Sequence, residues 1–336
     1  MAFKGRDLAE WTQGYWHGEA PLMVEGLFFD TRMIESQSLF VALSYGVRDG
    51  HDFVAEAMKQ GASCCMVERA LDLEIPQLIV ENSLEALADI ARKVRGDFMN
   101  PVIGITGSCG KTSTKAMLQS VLGSDKTYIT KGNWNNCLGV SMTLAKLPGE
   151  NYSFSVIEAG VSERGEMSLL SSIIQPNVCV FTNIGEAHLE GFGTVDLIAE
   201  EKSKLLEFAK KDTLVVAPKS VLERSAFEAY RSGAVAIVKG AVQSIAPYKN
   251  IYGYEWTELE KYSVKVSLRC GDQKHEYRLQ SLSEGMIQNS VLAVVTAIEM
   301  GEAIDMSRFL DHDVKICAIP TDKLTHPVDV PTDISI

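Results

Sequence analysis

The run Gly104-Ile-Thr-Gly-Ser-Cys-Gly-Lys-Thr-Ser-Thr114 constrains this chain more than any other stretch. An apolar run, Pro101 to Ile105, precedes it, and a segment with helical character, Lys111 to Leu122, follows. A strand, a glycine-bearing loop and a helix in that order predict a nucleoside triphosphate site. Glycines 107 and 110 let the backbone approach phosphate, and the helix N-terminus faces the anion. Lys111 adds a positive charge and Thr112 a hydroxyl for magnesium. The candidate nucleotide contacts are therefore Thr106, Gly107, Ser108, Cys109, Gly110, Lys111, Thr112 and Ser113. The loop is not a strict Walker A, because Ile105 stands where its first glycine belongs. The pattern is Gly107-x-x-Gly110-Lys111-Thr112, and a tight turn before a helix is the alternative reading of so short a match.

A chain of 336 residues predicts two or three domains, each with its own core. No apolar run reaches the roughly 18 residues of a membrane span, and the N-terminus lacks the apolar core of a signal peptide. A cytoplasmic protein without membrane insertion is expected. The 44 acidic residues outnumber the 32 lysines and arginines, giving a formal charge of −12 that argues against nonspecific nucleic-acid binding. An anionic substrate would need local cations and metal. Seven cysteines show no spacing suited to zinc; several lie inside apolar runs and read as reduced core thiols, while Cys109 reads as a small residue that fits the loop.

The pattern predicts an α/β protein in three parts. Residues 1–98 alternate short strands (Leu39 to Leu43, Cys64 to Val67, Gln77 to Val80) with helices (Asp52 to Gln60, Ser83 to Arg95). Residues 99–303 repeat strand then helix, with strands at Val102 to Thr106, Phe154 to Glu158, Val178 to Thr182 and Thr213 to Ala217. Their continuous apolar character suits a mainly parallel sheet covered on both faces. Antiparallel strands are expected between about 248 and 281, and a last helix from Gln288 to Gly301. Residues 304–336 are short and proline-rich, and an irregular tail is expected there.

Open α/β sheets place ligands at strand ends. Glu158 closes one apolar strand and is placed to hold magnesium, with a position beside a helix N-cap as the alternative. His188 follows the next strand in a glycine-flanked loop, opposite Glu158 in the expected sheet. On periodicity alone Lys202, in a helix drawn from Val195 to Ala209, is a solvated lysine beside Lys204.

The ordered set of motifs resembles the Mur ligases, ATP-dependent amide-forming enzymes of peptidoglycan synthesis. It runs through Asp30-Thr-Arg32, Asp49-Gly-His-Asp-Phe53, the loop at 106–112 and Gly132-Asn-Trp-Asn-Asn136-Cys-Leu-Gly139. It continues with Ile157-Glu-Ala-Gly160, Thr182-Asn-Ile-Gly185, Ala187-His-Leu-Glu-Gly-Phe-Gly193 and Lys202. Within the family it is most similar to the type that joins D-alanyl-D-alanine to UDP-N-acetylmuramoyl-tripeptide through an acyl phosphate. The resemblance implies an N-terminal UDP-precursor module with Asp30, Thr31 and Arg32 near the uridine, and a central ATPase. By the same resemblance, Lys111, Glu158, His188 and Lys202 would take the catalytic roles. Thr112 and Glu158 would hold one magnesium ion. Glu158, His188 and a carbamylated Lys202 would hold a second. Asn136 is implied near the γ-phosphate and Asn289 near the adenine, with Gly285 where the family carries histidine. Cys137 and Cys109 also depart from the family pattern.

Nothing after Gly301 matches the family's third domain, so that domain is expected to be absent. A noncatalytic remnant that binds nucleotide and UDP-sugar is therefore the competing reading. Folylpolyglutamate synthase shares the ATPase core but lacks a domain carrying Asp30-Thr-Arg32. A monomer is expected.

Overall fold

The computed structural model describes residues 2–302, apart from 46, 47, 149, 150, 187, 188, 243, 260, 261 and 282. The expected tail at 304–336 and the candidate ligand His188 lie outside the described residues.

A nine-stranded sheet organises the larger part. Its order is Gln273–Leu279, Val264–Cys270, Asn250–Glu258, Ala234–Lys239, Leu214–Pro218, Val178–Phe181, Val102–Thr106, Phe154–Glu158 and Thr127–Ile129. The Asn250 strand and every strand beyond it toward Thr127 run parallel, whereas the Val264 and Gln273 strands are antiparallel. Strand alternation divides the core between the two faces. Ile103 and Ile105 join a cluster with Met117, Leu118, Ile287 and Val291 from the helices Lys111–Leu122 and Glu284–Glu299. Val102, Ile157, Cys179 and Phe181 face the other way, against Ile90, Val140 and Leu170 from Ser83–Asp97, Cys137–Ala145 and Glu166–Ile174.

A second sheet has the order Tyr15–His17, Gln77–Ile79, Ala62–Val67, Ser38–Val41 and Leu27–Phe28, antiparallel only at its first pair. Phe40, Cys65 and Val67 pack with Val54 and Ala57 on one side. Leu39, Cys64, Met66 and Leu78 point into the same cluster that underlies the large sheet, so one core joins both sheets.

The helix Ser83–Asp97 packs in the core shared by the two sheets. Asn82 caps its start by accepting from Glu85 N, at 2.9 Å. Near its other end the buried Arg95 guanidinium donates to the carbonyls of Phe98, Ile174 and Gln175 and to Asn177 Oδ1, at 2.7–3.0 Å. It thereby satisfies carbonyls around the end of the Glu166–Ile174 helix that the helix itself cannot pair. Burial pulls Arg95 down to about 10.

Several boundaries move. The helix drawn from Val195 to Ala209 stops at Ser203 and tightens into a 3₁₀ turn, Lys204–Leu206. The last helix starts at Glu284, four residues before Gln288, and carries Gly285 in its first turn. A 3₁₀ turn, Gly50–Phe53, precedes the helix Val54–Gln60 in place of its expected start. Among the described cysteines all are free; Cys64, Cys65 and Cys179 are buried, and Cys109, in the glycine loop, is exposed. Among the described residues no helix is long and apolar enough to cross a membrane.

Candidate functional site

The loop between Thr106 and Lys111 is shaped by the end of the neighbouring strand. Ser108 N donates to Asn183 O at 3.0 Å and Cys109 N to Asn183 Oδ1 at 2.8 Å. Thr182 Oγ1 donates to Cys109 O at 2.5 Å, and the Ser108 hydroxyl bonds with both backbone groups of Gly185. The amides of Ser108 and Cys109 are thus spent on holding the loop. Gly107 (φ +155°) and Gly110 (φ +85°) allow its turn, and a Cβ on Gly107 would fall 1.9 Å from Thr182 Oγ1. No side chain caps the helix that begins at Lys111 at the mouth of the loop, and a helix N-terminus is a place that suits an anion. Lys111 Nζ donates to Gly107 O at 2.8 Å. The buried Thr106 hydroxyl has no hydrogen-bond partner. Ser113 is half-buried in the first turn. Such a glycine-walled cradle with an ammonium at its edge fits a polyphosphate.

Glu158 ends the strand beside Val102–Thr106 and is 1% exposed. Thr112 Oγ1 lies 3.1 Å from each of its carboxylate oxygens. Asn135 Nδ2 donates to Oε1 at 2.9 Å, and Lys115 Nζ sits 3.0 Å from Oε2. Thr130 Oγ1 accepts from Glu158 N at 2.9 Å. A hydroxyl and a carboxylate side by side are hard oxygen donors of the kind magnesium takes, usually with water and phosphate completing its shell. Among the described residues no group of three or more His, Cys, Asp or Glu is arranged around a metal.

Lys202 is 1% exposed, not solvated as periodicity suggested, because its helix packs on the Glu166 helix. Burial, then the positive charge of Lys111, pulls its amine down to about 7, with Glu201 opposing. Glu201 itself is occupied: it accepts from Gly165 N and Met167 N at 2.9 Å and pairs with Lys204 at 2.6 Å.

Asn289 reaches the loop from the Glu284–Glu299 helix, and a Cβ on Gly110 would meet its Oδ1 at 2.7 Å. Asn136 turns away: its Oδ1 caps the Cys137 helix by accepting from Gly139 N at 2.9 Å, while its neighbour Asn135 faces Glu158. In the smaller sheet's unit, Asp30 and Arg32 form a bidentate pair within one turn, with Arg32 Nη2 2.7 Å from Asp30 Oδ2 and the Arg32 side chain 55% exposed. This pairing holds the Asp30 carboxyl below its usual range. Thr31 is half-buried between them.

Lys111, Thr112, Glu158, Lys202 and Asn289 are therefore gathered at one place. Sequence reasoning missed Lys115 and Asn135. Lys115 stands three residues after Thr112 and four after Lys111, a helical spacing that puts all three on one face and was available as a signal.

The model of the Mur ligase middle domain matches residues 105–297, more than half of the chain. The chain belongs to the Mur ligase family. It is 36% identical over 199 residues to the UDP-N-acetylmuramoyl-tripeptide–D-alanyl-D-alanine ligase of Bacillus subtilis, covering 58% of this chain and 43% of that protein. The crystal structure of MurF from Acinetobacter baumannii superposes with a TM-score of 0.82 at 31% identity, covering 93% of this chain and 68% of that one. MurF from Thermotoga maritima in complex with ADP superposes with a TM-score of 0.73 at 27% identity, covering 85% and 66%. The chain thus spans less than half the length of the curated relative it matches.

Proposed function

We infer that this chain carries the precursor-binding and ATP-binding parts of a ligase that adds D-alanyl-D-alanine to UDP-N-acetylmuramoyl-tripeptide, in the cytoplasm. The observation that carries the reading is the Thr112 hydroxyl set 3.1 Å from both oxygens of Glu158, at the foot of the glycine loop. The ADP-bound Thermotoga relative and the named substrates of the Bacillus relative support it.

The reaction first brings two anions together. The terminal carboxylate of the tripeptide attacks the γ-phosphorus of ATP, ADP leaves, and an acyl phosphate forms. The amine of D-alanyl-D-alanine then attacks the acyl carbon, loses a proton and expels phosphate. Lys111 and the helix N-terminus offset the charge of the triphosphate. Thr112 and Glu158 would hold one magnesium ion, and Glu158, His188 and Lys202 a second. Bound magnesium supplies charge neutralisation between carboxylate and phosphate. Lys202 is suited to its part only after its amine combines with carbon dioxide, giving a carbamate anion and a proton. Burial favours the neutral amine that this addition needs. Asn289 would flank the nucleotide, and Asp30, Thr31 and Arg32 would meet the uridine end.

Incubation with ATP, UDP-N-acetylmuramoyl-tripeptide and D-alanyl-D-alanine tests the reading. ADP and phosphate release that requires both other substrates, with the pentapeptide precursor as product, is expected of a ligase. Precursor bound without turnover would identify a binding remnant.

A further inference from the structure

We propose that Lys115 is the internal counter-ion of the metal site, a positioning residue that pairs with Glu158 Oε2 and holds the carboxylate in place beside Thr112. The proposal rests on the reading of Glu158 as a metal ligand. Lys115 and Glu158 are the side chains of a buried ion pair, 3% and 1% exposed. A buried charge is tolerated only when paired and hydrogen-bonded. Lys115 Nζ meets both needs, 3.0 Å from Glu158 Oε2 and donating to Gly132 O at 2.7 Å. Held from two sides, the ammonium has a fixed place behind the carboxylate. On the other oxygen, Asn135 Nδ2 donates at 2.9 Å, and the exposed Thr112 sets its hydroxyl 3.1 Å from both oxygens.

This arrangement has a consequence for binding order. A fixed positive charge 3.0 Å from the carboxylate lowers its attraction for a second cation. Metal alone should bind weakly, and the negative charge of nucleotide phosphates should be needed to bring it in.

Manganese(II) is the probe, its free concentration read by electron paramagnetic resonance, with thermal unfolding recorded in parallel. Without nucleotide, Lys115→Met should bind manganese about tenfold more tightly than the unsubstituted protein. It should also melt lower, and recover on adding manganese. Lys115→Arg, which keeps the charge, should bind as the parent does. A Lys115→Met variant with parental manganese affinity overturns the proposal, because a merely structural lysine would lower stability without changing the metal. Should Lys115→Met fail to fold, the double variant Lys115→Met/Glu158→Gln, with neither charge, should fold; if it too fails, the counter-ion role is wrong. Glu158→Gln alone separates the two readings. If it binds manganese with a nonhydrolysable ATP analogue as the parent does, Glu158 is no metal ligand and the functional reading fails. The pairing is still judged by the melting of the double variant.

Discussion

The ring of Phe29 lies 5.8 Å from that of Trp134, tilted by 54°. Phe29 immediately precedes Asp30-Thr-Arg32, and Trp134 immediately precedes Asn135, which donates to Glu158. The contact therefore spans from the turn read as the uridine site to the carboxylate read as the metal ligand. Asn135 is tied down a second time, because its carbonyl accepts from Gly160 N at 2.9 Å. A displacement of the aromatic pair would be felt at Glu158.

We predict that Phe29→Ala lowers stability by about 1–2 kcal/mol, since a ring pair contributes beyond its buried area. It should also weaken the effect of the UDP precursor on nucleotide affinity. Calorimetric titration of nucleotide, with and without precursor, measures this. A precursor effect of parental size in the variant would show that the ring contact transmits nothing.

Gly110 combines a left-handed backbone, φ +85°, with the close approach of Asn289. Gly110→Ala should therefore strain the loop and displace the Asn289 side chain, at a cost of about 1–3 kcal/mol. Nucleotide affinity is expected to fall at least tenfold, roughly the energy of that strain. Circular dichroism should remain that of the parent. Unchanged ATP binding would mean that the loop does not touch the phosphates.

Lys111→Ala should abolish ATP binding and spare the UDP-precursor site, since its ammonium reaches the glycine loop at Gly107 O. Titration with each ligand separately decides the matter. Loss of both together would mean that nucleotide and precursor sites do not divide as read.

Arg95 concerns stability alone. Replacing it with methionine keeps the packing of the stem and leaves the carbonyls of Phe98, Ile174 and Gln175 without their donor. A loss of about 2–4 kcal/mol is expected, measured as a lower urea midpoint. A change under about 0.5 kcal/mol, the range of ordinary surface substitutions, would contradict the role assigned to this residue.

The strands Val102–Thr106 and Phe154–Glu158 and the helix Lys111–Leu122 were legible to the residue. Continuous apolar runs between polar or glycine boundaries leave little choice there. Thr127–Ile129, Tyr15–His17 and Leu27–Phe28 are too short to show any period and exist because a neighbouring strand supplies their hydrogen bonds. The Ala234–Lys239 strand was an apolar run passed over, since no motif stands at its end. At the site, local chemistry pointed to Lys111, Thr112 and Glu158. Asn135 owes its place to a loop from 131 to 136 that folds back on the strand end, a long-range closure that spacing along the chain does not encode, whereas Lys115 shares a helix face with Lys111 and Thr112 and only its partner Glu158 lies far along the chain.

Lys202 gives the pH dependence. An ordinary lysine loses its proton near about 10.4, whereas burial and the Lys111 charge pull this one to about 7. Between those values the unfolded chain binds the proton and the folded chain does not, so this group's contribution to stability rises with pH across that window. Carbon dioxide combines only with the neutral amine. Carbamate on Lys202 should therefore increase as pH rises through about 7 and vanish below it. Carbon-13 bicarbonate and nuclear magnetic resonance report the adduct directly. Lys202→Met should remove both the signal and that part of the pH slope of stability. A carbamate signal that persists in the variant would place the modification elsewhere, and one that titrates near the ordinary lysine value would mean that the amine is not buried as described.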